Sequence, residues 1–255
     1  MTAPVDELRE ATAAEARLLA TLDGMTDDEI AAPSGLPDWS RAELLTHVAR
    51  NADSFRGMAE AAMRDEPAVQ YPGGAEQREA GIADGRGRPA GEVTADVAQS
   101  IEWLHETWAA VPDHAWDHPG QTASRQVRLW ETVPARWREV AVHHVDLDRG
   151  YTPADWPEPF VRWWLPSTVT SMHDRATAPV IDGRFVIWAH DLELAWVVTA
   201  ETVTSFSVDD AQADVIVRGP GAQLLAWLYG RNHEPLTITG DRATAEAIPS
   251  RFPMP

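Results

Sequence analysis

Hydrophobic spacing divides this chain into two parts. Up to about residue 150 apolar side chains recur at helical intervals; beyond about residue 184 they fall in short β-rich runs. Leu8, Ala11, Ala14, Leu18, Leu19 and Leu22 predict a first helix over Val5–Leu22. Glu15 falls near the edge of that stripe, for no reason visible in the neighbouring sequence. Ser40 followed by Glu43 is a capping box, so a second helix starts at Arg41. It runs to about Met63, with Leu44, Leu45, Val48, Ala52, Phe55 and Met58 inward and His47 about two turns inside. Residues 64–91 are rich in Gly, Pro and charge and read as a loop with a short helix near Ala75–Ala83. A third helix covers Gly91–Val111, a polar connection covers Pro112–Arg125, and a fourth helix covers Val133–Asp148. Pro134 suits the first turn of that helix, and Gly150 follows as a stop. Four long helices with mostly long loops predict an up–down bundle.

The second part reads differently. Pro153–Pro159 is expected to be a linker, and Phe160–Ala176 a helix interrupted at Pro166. Strands are expected at Arg184–Ala189, Leu194–Thr199, Val203–Val208, Asp214–Arg218 and Leu236–Thr239. Gly219-Pro220-Gly221 opens a helix over Ala222–Tyr229, and Asp241–Glu246 is a terminal helix. With 255 residues, two domains are the better prior. The expected class is therefore α+β in two domains: a four-helix bundle over 1–152, and a small antiparallel sheet with helices over 153–255.

Charge narrows the partners. Forty acidic residues against 21 basic ones leave a net charge of −19, which repels phosphate backbones and anionic membrane surfaces. Every basic residue is Arg, and they form no basic stripe. Nucleic acid and membrane are therefore not expected partners. The absence of cysteine excludes disulfides, a protein thiol nucleophile and Cys-rich zinc sites. Met1–Glu7 lacks the basic and apolar regions of a signal peptide, and no apolar run is long enough to span a bilayer, so a cytoplasmic protein is expected. Several of the 12 Trp are expected in the core.

Glu139 and His143 lie four residues apart, so on a helix they share one face, a turn apart. A carboxylate and an imidazole on one rod make two-thirds of a metal triad. His47, on the second helix, supplies the third ligand if the two helices face each other across the bundle. Two imidazoles and a carboxylate suit Zn²⁺ with an open fourth position, and Fe²⁺ or another divalent metal accepts the same set. Taken alone, Glu-x-x-x-His is common by chance, and a single His is more often a satisfied core or surface residue.

The stretch Leu36-Pro37-Asp38-Trp39-Ser40-Arg41-Ala42-Glu43-Leu44-Leu45-Thr46-His47-Val48-Ala49 resembles the signature of the DinB-like bundle superfamily. There a Trp–Ser/Thr turn caps the helix that carries the first metal-ligating His, and Glu139 with His143 resembles the rest of that triad. Within the superfamily the whole chain is most similar to the mycothiol-dependent maleylpyruvate isomerase family. That family joins a DinB-like domain to a small α+β domain resembling sterol-carrier proteins. The resemblance implies metal ligation by His47, Glu139 and His143, with Zn²⁺ as cofactor and mycothiol as thiol cosubstrate. It implies a small anionic or electrophilic substrate, and cis–trans isomerisation of maleylpyruvate to fumarylpyruvate by reversible thiolate addition. It also implies a catalytic Arg in the C-terminal domain facing the inter-domain cleft; Arg231 fits that context best, and reads equally well as a surface Arg at a helix end. A monomer or weak homodimer is expected.

Two other functions remain open. One is a mycothiol S-transferase acting on another electrophile with the same metal site. The other is a non-enzymatic ligand-binding or stress-response module. His144 reads evenly as a residue behind the ligands or as unrelated. Asp146 and Asp148 read as solvated positions near a helix end, or as groups that orient a ligand. Arg86 and Arg88 sit in a Gly-rich loop able to close over an anion or simply to be solvated. Trp39 reads as a core or capping residue. His114 and His118 lie between Pro112 and Pro119 and carry little weight. His105, His173, His190 and His233 have no ligand spacing, and no special role is expected of them.

Overall fold

The computed structural model describes residues 2–171, 183–199, 202–205, 213–231 and 234–249. The chain forms two compact units, Met1–Tyr151 and Thr152–Pro255.

In the first unit the long helices are α1 (Val5–Leu22), α3 (Arg41–Met63), α5 (Ala90–Ala110) and α6 (Thr132–Asp146). All four start within one residue of the position read from periodicity and caps, and all end within two. A five-residue helix α2 (Asp27–Ala31), opened by a Thr26/Glu29 capping box, was not foreseen. The short helix in the Gly-rich stretch is α4 (Gly74–Ala83). The long helices close a ring: α1 packs on α6, α6 on α3, α3 on α5 and α5 on α1. Leu18, Leu44, Leu45, Met58, Val93, Leu104, Val133 and Val140 fill its centre.

The ring runs up–down–down–up, not alternately up and down. Glu15 pairs with Arg136 and Thr21 with His144, so α1 and α6 ascend together. Arg50 bonds Asp96, and the Arg56 guanidinium lies over Trp103, so α3 and α5 also run parallel. The cause is the long stretch after α3. Gln70 bonds Ser54, Gly81 faces Arg50, and Arg86 bonds Glu43. That stretch, with α4 inside it, carries the chain back along α3, and α5 starts where α3 started. Periodicity carries no information on this return. The polar connection before α6 also proves ordered: a 3₁₀ turn at Asp113–Asp117 precedes β2 (Pro119–Gln121), which pairs on one side with β1 (Ala68–Val69) and on the other with β3 (Gln126–Arg128).

In the second unit, α7 (Glu158–Ser171) contains Pro166. The residues expected to extend that helix to Ala176 lie outside those described. The expected linker is not free chain. It holds a 3₁₀ turn at Pro153–Asp155, and Trp156 is buried with its ring 5.2 Å from that of Phe160. Strands β4 (Phe185–Ala189), β5 (Leu194–Val198), β6 (Val203–Ser205), β7 (Val215–Gly219) and β8 (Thr237–Gly240) form one sheet, in the order β6-β5-β4-β7-β8. The fold class is α+β as expected, with one correction. β4 and β7 pair in parallel, so the sheet is mixed rather than wholly antiparallel. Alternation along one strand does not encode the direction of its neighbour. Helix α8 (Gly221–Leu228) buries Leu224, Leu225 and Trp227; α9 (Arg242–Ala247) is capped by Asp241. No helix among the described residues is long and apolar enough to cross a membrane.

Two changes gauge the bundle. Leu104→Ala, at a fully buried position of α5, is expected to cost about 2–5 kcal/mol through the cavity it leaves. Glu15→Ala strands the buried Arg136 guanidinium and is expected to cost about 3–5 kcal/mol. Urea titration followed by helical circular dichroism measures both; a loss near zero for Glu15→Ala contradicts the pairing.

Candidate metal centre

The site is built on α3 and α6, which cross antiparallel. Ser40 caps α3: its N–H and hydroxyl both donate to Glu43 Oε2, at 3.0 and 2.7 Å. The other Glu43 oxygen accepts from Arg86 at 2.6 Å. The next residue, Arg41, reaches across to the C-terminus of α6, donating to the Leu147 carbonyl at 2.7 Å and the Asp148 carbonyl at 2.9 Å. A cation there also suits the negative end of the helix dipole. Gly35 in the preceding turn donates its N–H to the Asp146 carbonyl at 2.6 Å, and a Cβ at this position would sit 3.2 Å from that oxygen. One end of α6 is thus fastened to the start of α3.

Two turns into α3, His47 meets α6. His47 Nε2 lies 3.3 Å from Glu139 Oε2, and His143 Nε2 lies 3.4 Å from the same oxygen. The two imidazole rings cross edge to face with centroids 4.9 Å apart. One ligand atom from each of the three residues lies within 4.8 Å of the others, and among the described residues this is the one such group of three His, Asp or Glu side chains. Both His are buried.

Asp146 fixes the tautomer of His143. It is buried, and its Oδ2 accepts from His143 Nδ1–H at 2.8 Å. The solvated reading of Asp146 is therefore wrong: α6 ends one turn beyond His143, and the turn at Gly35 covers its last residues. With the Nδ1 proton committed, the Nε2 lone pair of a neutral His143 points at a carboxylate oxygen. His143 Nε2 has no hydrogen-bond partner, nor does His47 Nδ1. His47 Nε2 lies within hydrogen-bonding distance of Glu139 Oε2, whereas the lone pair of a neutral His143 repels that anionic oxygen, so a proton or a metal ion fits between them. Carboxylate–His pairing behind the ligand is also what tunes metal-binding imidazoles.

Each titration follows from these contacts. Burial, only partly offset by Glu139, pulls the His47 pKa down from 6.5 to about 4. His47 is therefore neutral at neutral pH and presents a lone pair. Burial also disfavours the His143 imidazolium, but Asp146 and Glu139 outweigh it and raise its pKa above 6.5. Burial pushes the Glu139 carboxyl up, and the two imidazoles outweigh that and hold it well below the ordinary carboxylate value. A proton on His143 Nε2 would pair it with Glu139 Oε2, 3.4 Å away.

The other candidates separate. Trp39 is half-buried, not core, and packs its ring edge against His47 at 5.5 Å between centroids; the cap itself is Ser40. His144 turns away from the triad, pairs with Thr21 at 2.8 Å and stacks on Tyr151. Asp148 is exposed. Arg86 is bound to Glu43 and Arg88 to Asp96, so both tie down their loop. Arg231 belongs to the second unit, is buried rather than exposed, and donates to the Tyr229 carbonyl at 2.7 Å. His105 does have a role: its Nε2–H donates to Glu15 at 2.5 Å. His118 approaches Asp65 at 3.4 Å, away from the triad. His173 and His233 lie outside the described residues. Sequence reading missed Arg136. The signal was present: Arg136, Glu139 and His143 follow the i, i+3, i+7 spacing of one helix face.

Fold and cluster together define a four-helix bundle with a His–Glu–His cluster of metal-ligand geometry between two antiparallel helices. Residues 11–148 match the family model described as the mycothiol maleylpyruvate isomerase N-terminal domain, and the chain belongs to that family. Its fold is similar to a crystal structure of the mycothiol-dependent maleylpyruvate isomerase and to one of a mutant of it. Each has a TM-score of 0.78 at 24% identity, over 94% of this chain and 96% of the other. No curated protein matches.

Proton NMR of the metal-free protein tests the electrostatics. One imidazole, assigned by His47→Ala, is expected to titrate near pH 4, and one, assigned by His143→Ala, above 6.5. The signs oppose. His47 favours folding above about pH 6.5, and that contribution is lost as pH falls toward 4; His143 favours folding below about 6.5, and its contribution is lost as pH rises through its folded value. Asp146→Asn should lower the His143 midpoint. An unmoved midpoint would show that Asp146 does not hold the proton.

Proposed function

We propose that His47, Glu139 and His143 bind a divalent cation, Zn²⁺ by ligand preference, and that the protein is a mycothiol-dependent enzyme isomerising maleylpyruvate to fumarylpyruvate. The observation that carries this reading is the convergence of three ligand atoms from two helices within 4.8 Å. Membership of the family adds the thiol and the substrate class, and favours an enzyme over a ligand-binding module.

A divalent cation at this cluster supplies a Lewis acid that lowers the pKa of a thiol. The chain's residues prepare the place. His47 stays neutral, Glu139 stays ionised, and Asp146 keeps the His143 proton on Nδ1, so that Nε2 faces the cluster. With three protein ligands a fourth position stays open. The chain has no cysteine, so the nucleophile comes from outside. The thiolate sulfur forms a C–S bond at the double bond of the substrate, and the electron pair moves onto the conjugated ketone as an enolate. The former double bond then rotates. The enolate re-forms the double bond as the C–S bond breaks, and the thiolate leaves unchanged. Arg231 is assigned the substrate carboxylate, which a guanidinium grips through two N–H groups.

A second reading is favoured by one observation: the family match ends at residue 148, within the first unit. The unit that would select the electrophile lies outside it. A mycothiol S-transferase with the same metal site follows if the electrophile differs.

Metal analysis comes first. The wild type should carry about one equivalent of zinc, and His47→Ala at least tenfold less; equal loading in both sinks the triad. Maleylpyruvate is then supplied with and without mycothiol. Fumarylpyruvate formed only with the thiol, and the thiol recovered free, marks the isomerase. Thiol left conjugated to product marks the transferase. Arg231→Ala is expected to lower kcat/KM by about 10²-fold or more; wild-type kinetics would remove it from the site.

A further inference from the structure

We infer that Arg136 is the positioning residue for the metal cluster. It sets the rotation of α6 and its slide along α3, and thereby where Glu139 and His143 meet His47. The inference rests on the metal reading above.

Arg136 is completely buried. Its Nε donates to Glu15 Oε1 at 2.8 Å, and its Nη1 donates to the Val48 carbonyl at 2.7 Å and to Asn51 Oδ1 at 2.9 Å. The partners are placed tellingly. On α6, Arg136 shares the face of Glu139, one turn further on, and of His143, two turns on. On α3, Val48 follows His47 directly and Asn51 lies one turn beyond it. The two faces that form the cluster therefore meet a second time, one turn away, through this guanidinium. Glu15 is in turn held by His105 from α5, so side chains or carbonyls of the three other long helices fix one side chain of α6. Arg41 and Gly35 fasten the far end of α6. The cluster lies between the two fastenings.

Stability alone does not account for an arginine here. A buried ion pair loses the hydration of both charges, and apolar residues of similar volume often replace such pairs without loss. Arg136 Nη2 is moreover buried with no hydrogen-bond partner. What an apolar side chain lacks is direction. Three bonds at fixed angles define a helix rotation that apolar packing would leave looser. A metal site needs that definition, because ligand distances are tolerated only to about ±0.2 Å.

The test uses the full-length protein stripped of metal and titrated with Co²⁺, whose visible absorption bands report coordination geometry. Three variants are compared with wild type. Arg136→Lys keeps the charge and loses the fork. Asn51→Ala removes one acceptor and leaves the ion pair in place. Trp116→Leu weakens the fold in the 3₁₀ turn at Asp113–Asp117, which makes none of the Arg136 hydrogen bonds. Arg136→Lys is expected to bind Co²⁺ about tenfold more weakly or worse, with an altered band pattern. Asn51→Ala should move the same way by a smaller factor, and it decides the question if Arg136→Lys does not fold. Trp116→Leu should lower Tm yet keep wild-type affinity and spectrum. Wild-type affinity and spectrum in the network variants overturn the inference, as does an equal change in Trp116→Leu. Failure of the wild type to take up Co²⁺ instead overturns the metal reading, and this inference with it.

Discussion

One buried ion pair organises the first unit. Glu15 on α1 and Arg136 on α6 meet at 2.8 Å with almost no exposure on either side. Neither charge tolerates this burial alone. Burial pushes the Glu15 carboxyl up, yet Arg136 and His105 outweigh it and hold it below its ordinary value. Because each charge needs the other, α1 and α6 must run side by side in one register, and the remaining guanidinium bonds carry that register to α3. The up–down–down–up order of the bundle is the arrangement in which this network closes.

The cluster one turn away shows the same physics turned to a different end. Around Glu15 and Arg136 opposite charges compensate within the protein. Around Glu139, two imidazoles and a carboxylate do so only if an added proton or metal ion sits among them. His47 and His143 are the same residue type at nearly the same depth, and their pKa values move in opposite directions because only His143 has Asp146 behind it. A site of this kind has the ligand geometry for a cation and offers no nucleophile of its own. With no cysteine in the chain, thiol chemistry here depends on a thiol from outside.

Much of this was legible in the residues. The helices were readable because period and caps are local: Ser40 with Glu43 placed the start of α3, and Gly150 marked the stop beyond α6. His47, Glu139 and His143 were readable through helical spacing together with a recognisable turn. Asp146 reads as solvated because a carboxylate at a helix end usually is; its burial and its bond to His143 are set in the tertiary structure, where the distant Gly35 turn bonds its carbonyl. Glu15 stood out as an acid in an apolar stripe, but its partners lie 90 and 121 residues away. Arg136 lay on the ligand face and was overlooked because an arginine three residues before a carboxylate is unremarkable on a surface helix.

The sequence by itself determined where the four long helices and the main strands of the second unit lie, which residues carry metal-ligating chemistry, and that no protein thiol takes part. These are properties of local spacing and composition, and they survive without knowledge of the neighbours. Tertiary structure decided which helices run parallel, which strand of the sheet joins its neighbour in parallel, and which polar residues are buried. It also decided that Arg136 is joined to Glu15 and Asn51 and that Asp146 stands behind His143. Those outcomes depend on groups far apart in the chain sharing a space without water, where an unpaired charge is too costly to keep. The spacing of one helix cannot state which partner another helix will bring.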